Sequence, residues 1–190
     1  MRLFLAFSLS TQIKKNIASW RKNLKNKPGW DRVRWEAFSK MHLTLKFMGE
    51  TDKKLIPALT ERLSGVVSFF EPYEVEFKGT GVFPSEKRPR VFWVACHDRE
   101  NYTCSLKNRI DFSLETIGFK TEKRKFVPHI TLARLRYCKK ADKMARFFLN
   151  TDICAGKMKV RELNLYQSIL KPSGAEHKVI KRFRLIKQQS

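Results

Sequence analysis

Two stretches decide the fold: Met41-His42-Leu43-Thr44-Leu45-Lys46-Phe47 and Pro128-His129-Ile130-Thr131-Leu132-Ala133-Arg134. Each is a histidine phrase, His-Leu-Thr-Leu or His-Ile-Thr-Leu, with apolar residues at alternate positions. That alternation predicts a half-buried β-strand. On a strand, residues i and i+2 share a face and lie two rises of roughly 3.3 Å apart. Each phrase therefore presents one imidazole and one hydroxyl on one face and buries apolar side chains on the other. Two such strands facing one groove would bring two imidazoles and two hydroxyls onto one small anion.

The phrases lie 87 residues apart (129 − 42), close to half of the 190-residue chain. The reading outward from them repeats as well. Arg2–Leu9 reads as a strand and Ser10–Leu24 as a basic amphipathic helix. Asn26-Lys27-Pro28-Gly29 breaks that helix, and Val33–Trp35 reads as a short strand. After the His42–Met48 strand come a helix from Thr51 or Asp52 to Val67, a strand Glu74–Lys78, a Gly/Pro turn and the apolar strand Arg90–Cys96. Asp98–Ile117 reads as a helix stopped by Gly118. After the His129 strand come a helix Lys140–Asn150, a strand Lys159–Ile169, a turn Pro172-Ser173-Gly174 and a strand Lys178–Ile186. The repeated order predicts a duplicated lobe, its two copies related by a pseudo-twofold axis, with the catalytic groups meeting in the cleft between them. Residues 1–190 are expected to form one two-lobed domain.

Charge narrows the partner. Forty Lys and Arg stand against 18 Asp and Glu, a net charge of +22. Much of this is solvated surface, but a surplus of this size favours a polyanion, with nucleic acid first. No apolar run reaches the roughly 18 residues a membrane helix needs, and Met1–Leu9 reads as a strand rather than a secretory leader. The cysteines (Cys96, Cys104, Cys138, Cys154) show neither CxxC nor framework spacing. Reduced thiols and a cytoplasmic location are expected.

A histidine can take or give a proton near neutrality. In phosphodiester hydrolysis one imidazole removes a proton from water while the other protonates the leaving oxygen. The hydroxyls of Thr44 and Thr131 can donate to non-bridging oxygens as charge shifts. Such a pair predicts a bell-shaped rate profile centred between about pH 5.5 and 8. Acids do not stand at ligand spacing from His42 or His129, so no metal and no cofactor is expected. His97 and His177 lack the phrase and read as surface residues. Cys96-His97 is not a nucleophile–base pair, because adjacent strand residues face opposite ways. Lys46-Phe47-Met48-Gly49 fits the loose K-x-x-G of nucleotidyl-transferring ligases, without any accompanying nucleotide motif.

The chain resembles a bacterial or archaeal RNA 2′,3′-cyclic phosphodiesterase of the LigT-like 2H phosphoesterases. The stretches that carry the likeness are MRLFLAF, HLTLKFMGE, GTGVFPSEKRPRVFWV, GFKTEKRKFVPHITLAR and LYQSILKPSGAEHKVIKRF. The resemblance implies an α+β fold of two pseudo-symmetric lobes, each a small antiparallel sheet with helices outside and the active-site cleft between them, and metal-free opening of a terminal 2′,3′-cyclic phosphate to a 2′-phosphate. It implies His42 as proton donor, His129 as acceptor, Thr44 and Thr131 on the phosphate, and 2′-5′ ligation as a reverse activity. It implies RNA ends as partners, tRNA fragments among them, acted on by a monomer. His177 departs from the aromatic residue expected after Gly-Ala.

Further substrate contacts are read from position. Arg134 would brace the phosphate, but strict alternation turns it away from His129 unless a bulge intervenes. Arg124 and Phe126 lead into the second phrase, and Phe83 and Arg90 flank GVFP. A ring among these would stack on a base and an arginine would meet a phosphate. Tyr166 and Ser168 are candidate groove residues. The rival readings are a non-catalytic RNA-binding module and a related enzyme acting on small cyclic nucleotides or 2′-5′ oligoadenylate.

Overall fold

The computed structural model describes residues 1–27, 29–122, 124–136, 141–172 and 174–186. Cys138, Pro28, Ser173 and Lys140, each part of an expectation above, lie outside these residues. The strands are β1 (Arg2–Ser8), β2 (Val33–Trp35), β3 (His42–Glu50), β4 (Tyr73–Phe83), β5 (Val91–His97), β6 (His129–Leu135), β7 (Cys154–Val160), β8 (Glu162–Lys171) and β9 (Gly174–Arg184). The helices are α1 (Thr11–Lys25), α2 (Ile56–Val67), α3 (Tyr102–Glu115) and α4 (Ala141–Leu149).

All described strand pairs are antiparallel. They join into one sheet in the order β7-β4-β5-β6-β3-β1-β8-β9, with β2 added beside β6. The two histidine strands are central neighbours, and the order is symmetric about them. Each lobe is thus a four-stranded half-sheet, β6-β5-β4-β7 or β3-β1-β8-β9. The expected α+β duplication is present, and both halves belong to one curled sheet.

The helices lie where their apolar faces require. Ser10 caps α1 by accepting from the Ile13 amide at 3.3 Å. Ile13, Ile17 and Leu24 turn inward, and α1 packs on β7. Leu59, Leu63 and Val67, one turn apart on α2, are buried against the core. Truncating Leu59 or Leu63 to alanine would cost about 2–5 kcal/mol, transfer and cavity terms together. Helix α2 packs beside α3 and reaches β9, so one helix pair backs the first lobe.

Strand β9 begins at Gly174 rather than Lys178 and α2 at Ile56 rather than Thr51 or Asp52, and three further boundaries moved. Lys159–Ile169 is not one strand: β7 ends at Val160 and β8 begins at Glu162. The chain there passes from one edge of the sheet to the other half, since β7 pairs with β4 and β8 with β1. Strand β4 continues through Gly79 and Gly81 to Phe83. Gly79 has φ +79° at a register shift, and a Cβ on Gly81 would fall about 2.0 Å from the Trp93 ring. Both glycines serve the strand rather than end it. Helix α3 begins at Tyr102, where the Asp98 carboxylate accepts from the Tyr102 and Thr103 amides.

Candidate active site

Strands β3 and β6 meet at one described ladder pair, Leu43 opposite Ile130. That register sets His42 across from Thr131 and Thr44 across from His129. Opposed Cβ atoms in such a pair stand about 4.5–5.5 Å apart. Leu43, Leu45, Ile130 and Leu132 are buried on the other face. The two His-x-Thr phrases are thereby brought onto one patch of sheet.

Each imidazole is fixed in the same way. His42 Nδ1 donates to the Lys40 carbonyl at 2.6 Å, and His129 Nδ1 donates to the Val127 carbonyl at 2.7 Å. A carbonyl can only accept, so the hydrogen sits on Nδ1 and Nε2 is left for a substrate. Rings hold both in place. His42 lies 5.0 Å from Phe4 and 6.4 Å from Tyr166; His129 lies 5.0 Å from Phe83 and 5.7 Å from Trp93. The Tyr166 hydroxyl is 2.7 Å from Ser8 Oγ, which also accepts from Asn164.

Burial dominates the electrostatics. It pulls the His42 pKa down to about 4, only partly opposed by the Lys40 carbonyl; the charges of His177, Lys14 and Arg134 add to the fall. His129 is lowered for the same first reason, with the Val127 carbonyl opposing and Arg134 adding. Burial thus favours the neutral form of both imidazoles. The bell expected between pH 5.5 and 8 therefore moves towards acid in the free protein. A bound anion would draw both pKa values back up.

Matching bulges follow both phrases. On β3, Ala6 pairs with Thr44 and Leu5 with Lys46; on β6, Trp93 pairs with Thr131 and Phe92 with Ala133. One residue is skipped each time, so the residue five beyond each histidine turns back to the histidine face. These are Phe47, 60% exposed, and Arg134, also exposed. Arg134 is close enough to act on both histidines. The bulge its role required is present.

The other candidates divide. Phe83 stands beside His129 and Tyr166 beside Phe4 and His42. Ser168 pairs with His177 across β8 and β9. Phe126 instead packs under Lys107 of α3, 5.7 Å from ring centre to Nζ, on the helix side of the sheet. The Arg90 guanidinium is held by the Arg136 carbonyl. Arg124 is exposed and contacts none of the cluster among the described residues. His97 is exposed, as expected. His177 is not a bystander: its ring lies 5.3 Å from His42 and 4.9 Å from Phe4. The β8–β9 hairpin carries it there, and no local pattern in the sequence could show that. Phe4, Trp93 and Phe47 were also missed. Aligning the two phrases would have found Phe47, since it and Arg134 share one offset.

Lys46 is not a nucleophile. It is buried, donating to Asp111 at 2.6 Å and to the Lys120 carbonyl at 2.9 Å; Lys107 holds the same carboxylate. This buried triad ties α3 to the back of β3. The Cys96 thiol is buried and its pKa pushed far up, with desolvation first and Asp98 next. No group of three or more His, Cys, Asp or Glu placed to hold a metal occurs among the described residues. No helix among them is long and apolar enough to cross a membrane.

A curled antiparallel sheet with paired His-x-Thr strands at its centre defines a phosphoesterase scaffold. The family description LigT-like phosphoesterase matches residues 7–93 and 100–175, and the chain belongs to that family. It is 34% identical to the RNA 2′,3′-cyclic phosphodiesterase of Methanocaldococcus jannaschii, over 96% of this chain and 100% of that one. A crystal structure from Thermus thermophilus superposes with TM-score 0.82 at 24% identity, covering 97% and 98% of the two chains. Escherichia coli LigT complexed with 3′-AMP gives TM-score 0.75 at 25% identity, with 98% of each chain covered.

Proposed function

We propose that the chain opens the terminal 2′,3′-cyclic phosphate of RNA by acid–base catalysis between His42 and His129, without a metal. The observation that carries this is the β3–β6 register, which sets two tethered imidazoles and two hydroxyls around one patch. His129 Nε2 takes a proton from water as the water oxygen bonds to phosphorus. The P–O3′ bond breaks, and His42 Nε2 gives its proton to O3′, leaving a 2′-phosphate. Thr44 and Thr131 donate to the non-bridging oxygens, and Arg134 opposes their charge. Binding of the anion raises the pKa of His42 and so arms it as the acid.

Phe47 offers its exposed ring to the terminal base. The relatives' names, and a nucleoside monophosphate in the E. coli complex, support this reading. Run backwards with a 5′-hydroxyl in place of water, the same groups would form a 2′-5′ linkage. We place the protein in the cytoplasm, as a monomeric unit of residues 1–190 acting on RNA ends such as tRNA fragments. The test is incubation of an RNA ending in 2′,3′-cyclic phosphate with the protein in EDTA. A 2′-phosphate product is expected. A 3′-phosphate would overturn the leaving-group assignment, and loss of activity restored by one divalent ion would overturn the metal-free mechanism.

A further inference from the structure

Strand β2 contributes an arginine that the two phrases did not reveal. Past Leu43 and Ile130, β3 gives way along the edge of β6 and β2 takes its place. The Glu36 amide donates to the Leu132 carbonyl, and Trp35, Arg34 and Val33 pair with Ala133, Arg134 and Leu135. Val33 and Leu135 are buried together, so Arg34 and Arg134 share the opposite, exposed face. Two like charges directly opposite one another on a ladder repel. Neither guanidinium has an acidic partner or a hydrogen bond among the described residues. Glu36, the nearest acid on this segment, is close enough to His177 to act on it.

We propose that Arg34 binds the phosphodiester on the 5′ side of the reacting nucleotide, beside Arg134, its cross-strand partner. This rests on the function proposed above and names its substrate class: an RNA strand rather than a mononucleotide. The direction of the strand follows from ribose chemistry. The cyclic phosphate bridges O2′ and O3′, between C1′, which bears the base, and C4′, which leads to the 5′ phosphate. Base and 5′ phosphate therefore leave the reacting centre on opposite sides. The site is polarised the same way. Because β3 and β6 are antiparallel, Phe47 lies beyond Thr44 at one end and Arg134 with Arg34 beyond Thr131 at the other. From Thr131 to Arg134 is two ladder steps once the bulge is discounted, roughly 7 Å, a span one nucleotide can cover. An anion lying against both arginines would offset their repulsion.

The experiment pairs a protein change with a substrate change. Arg34→Gln and wild type are compared on a short RNA ending in 2′,3′-cyclic phosphate, and on the same RNA with an uncharged methylphosphonate as its last internucleotide linkage. On the charged RNA, Arg34→Gln should raise KM about 10-fold or more, as loss of a charge-assisted contact predicts. On the neutral linkage the two proteins should differ little, and Arg34→Lys should recover part of the loss. The salt slope of RNA binding should fall by about 0.7, one phosphate contact on a single strand. Equal losses on both RNAs, or none on either, would overturn the assignment. Anisotropy of labelled RNA ending in 2′-phosphate gives the same comparison as binding. A chain that opened no cyclic phosphate would thus refute the proposed activity while leaving Arg34 testable.

Discussion

Acidification should destabilise this protein through His42 by an amount the structure sets. In the unfolded chain His42 titrates near 6.5, and in the folded chain burial holds it to about 4. Between those values the unfolded chain carries a proton that the folded chain refuses. Stability is therefore full above pH 6.5 and falls as pH drops through the window to about 4. A gap of 6.5 − 4 at 1.36 kcal/mol per pH unit is worth about 3 kcal/mol. His129 and His177, also lowered mainly by burial, push the same way. The perturbation is His42→Phe, which keeps a ring among Phe4, Tyr166 and His177 but cannot titrate. Urea unfolding from pH 7.5 to 4 compares the two proteins, so that the carboxylates common to both cancel. Wild type should lose about 3 kcal/mol more than the variant over this range. Inorganic phosphate should shrink the difference by raising the folded pKa of His42. Parallel curves, or a wild type that gains on the variant in acid, would refute the placement of a neutral, desolvated imidazole at this position.

The remaining expectations concern rate and binding. His42→Ala and His129→Ala should each slow turnover by about two to four decades, and the double variant should be little slower than the poorer single; single-turnover assays decide it. His177→Ala should open His42 to water and remove a nearby positive charge. The alkaline limb of kcat/KM should then move to higher pH, whereas His97→Ala should leave the profile in place. Thr44→Ala or Thr131→Ala should reduce turnover without changing the salt slope of RNA binding, because each acts at one phosphate whose charge shifts in the reaction. A steeper loss of affinity than of rate would remove them from the reacting phosphate.

The central strands and the duplication were legible because they rest on period-2 burial and a repeated phrase, both local properties. Thr44 and Thr131 were legible for the same reason. What escaped the sequence depends on long-range register. His177 reaches His42 only because β9 pairs with β8 and β8 with β1. Arg34 matters only because β3 and β6 part and β2 fills the gap. The bulges that turn Phe47 and Arg134 to the histidine face leave no sign in either phrase, since Lys46 and Ala133, the residues after the skip, share no chemistry. Lys46 is accommodated there by Asp111, 65 residues away. Strand β7 was lost into β8 because the break at Arg161 carries neither glycine nor proline.

The mechanism stands on His42 as acid and His129 as base at one phosphate. The most direct test replaces O3′ of the terminal cyclic phosphate by sulfur, a leaving group that needs no proton. Single-turnover rates are measured for wild type, His42→Ala and His129→Ala on the oxygen and sulfur substrates. The mechanism predicts that sulfur restores most of the rate lost in His42→Ala and little of that lost in His129→Ala. Rescue of His129→Ala, with His42→Ala still slow, would contradict it by reversing the two roles.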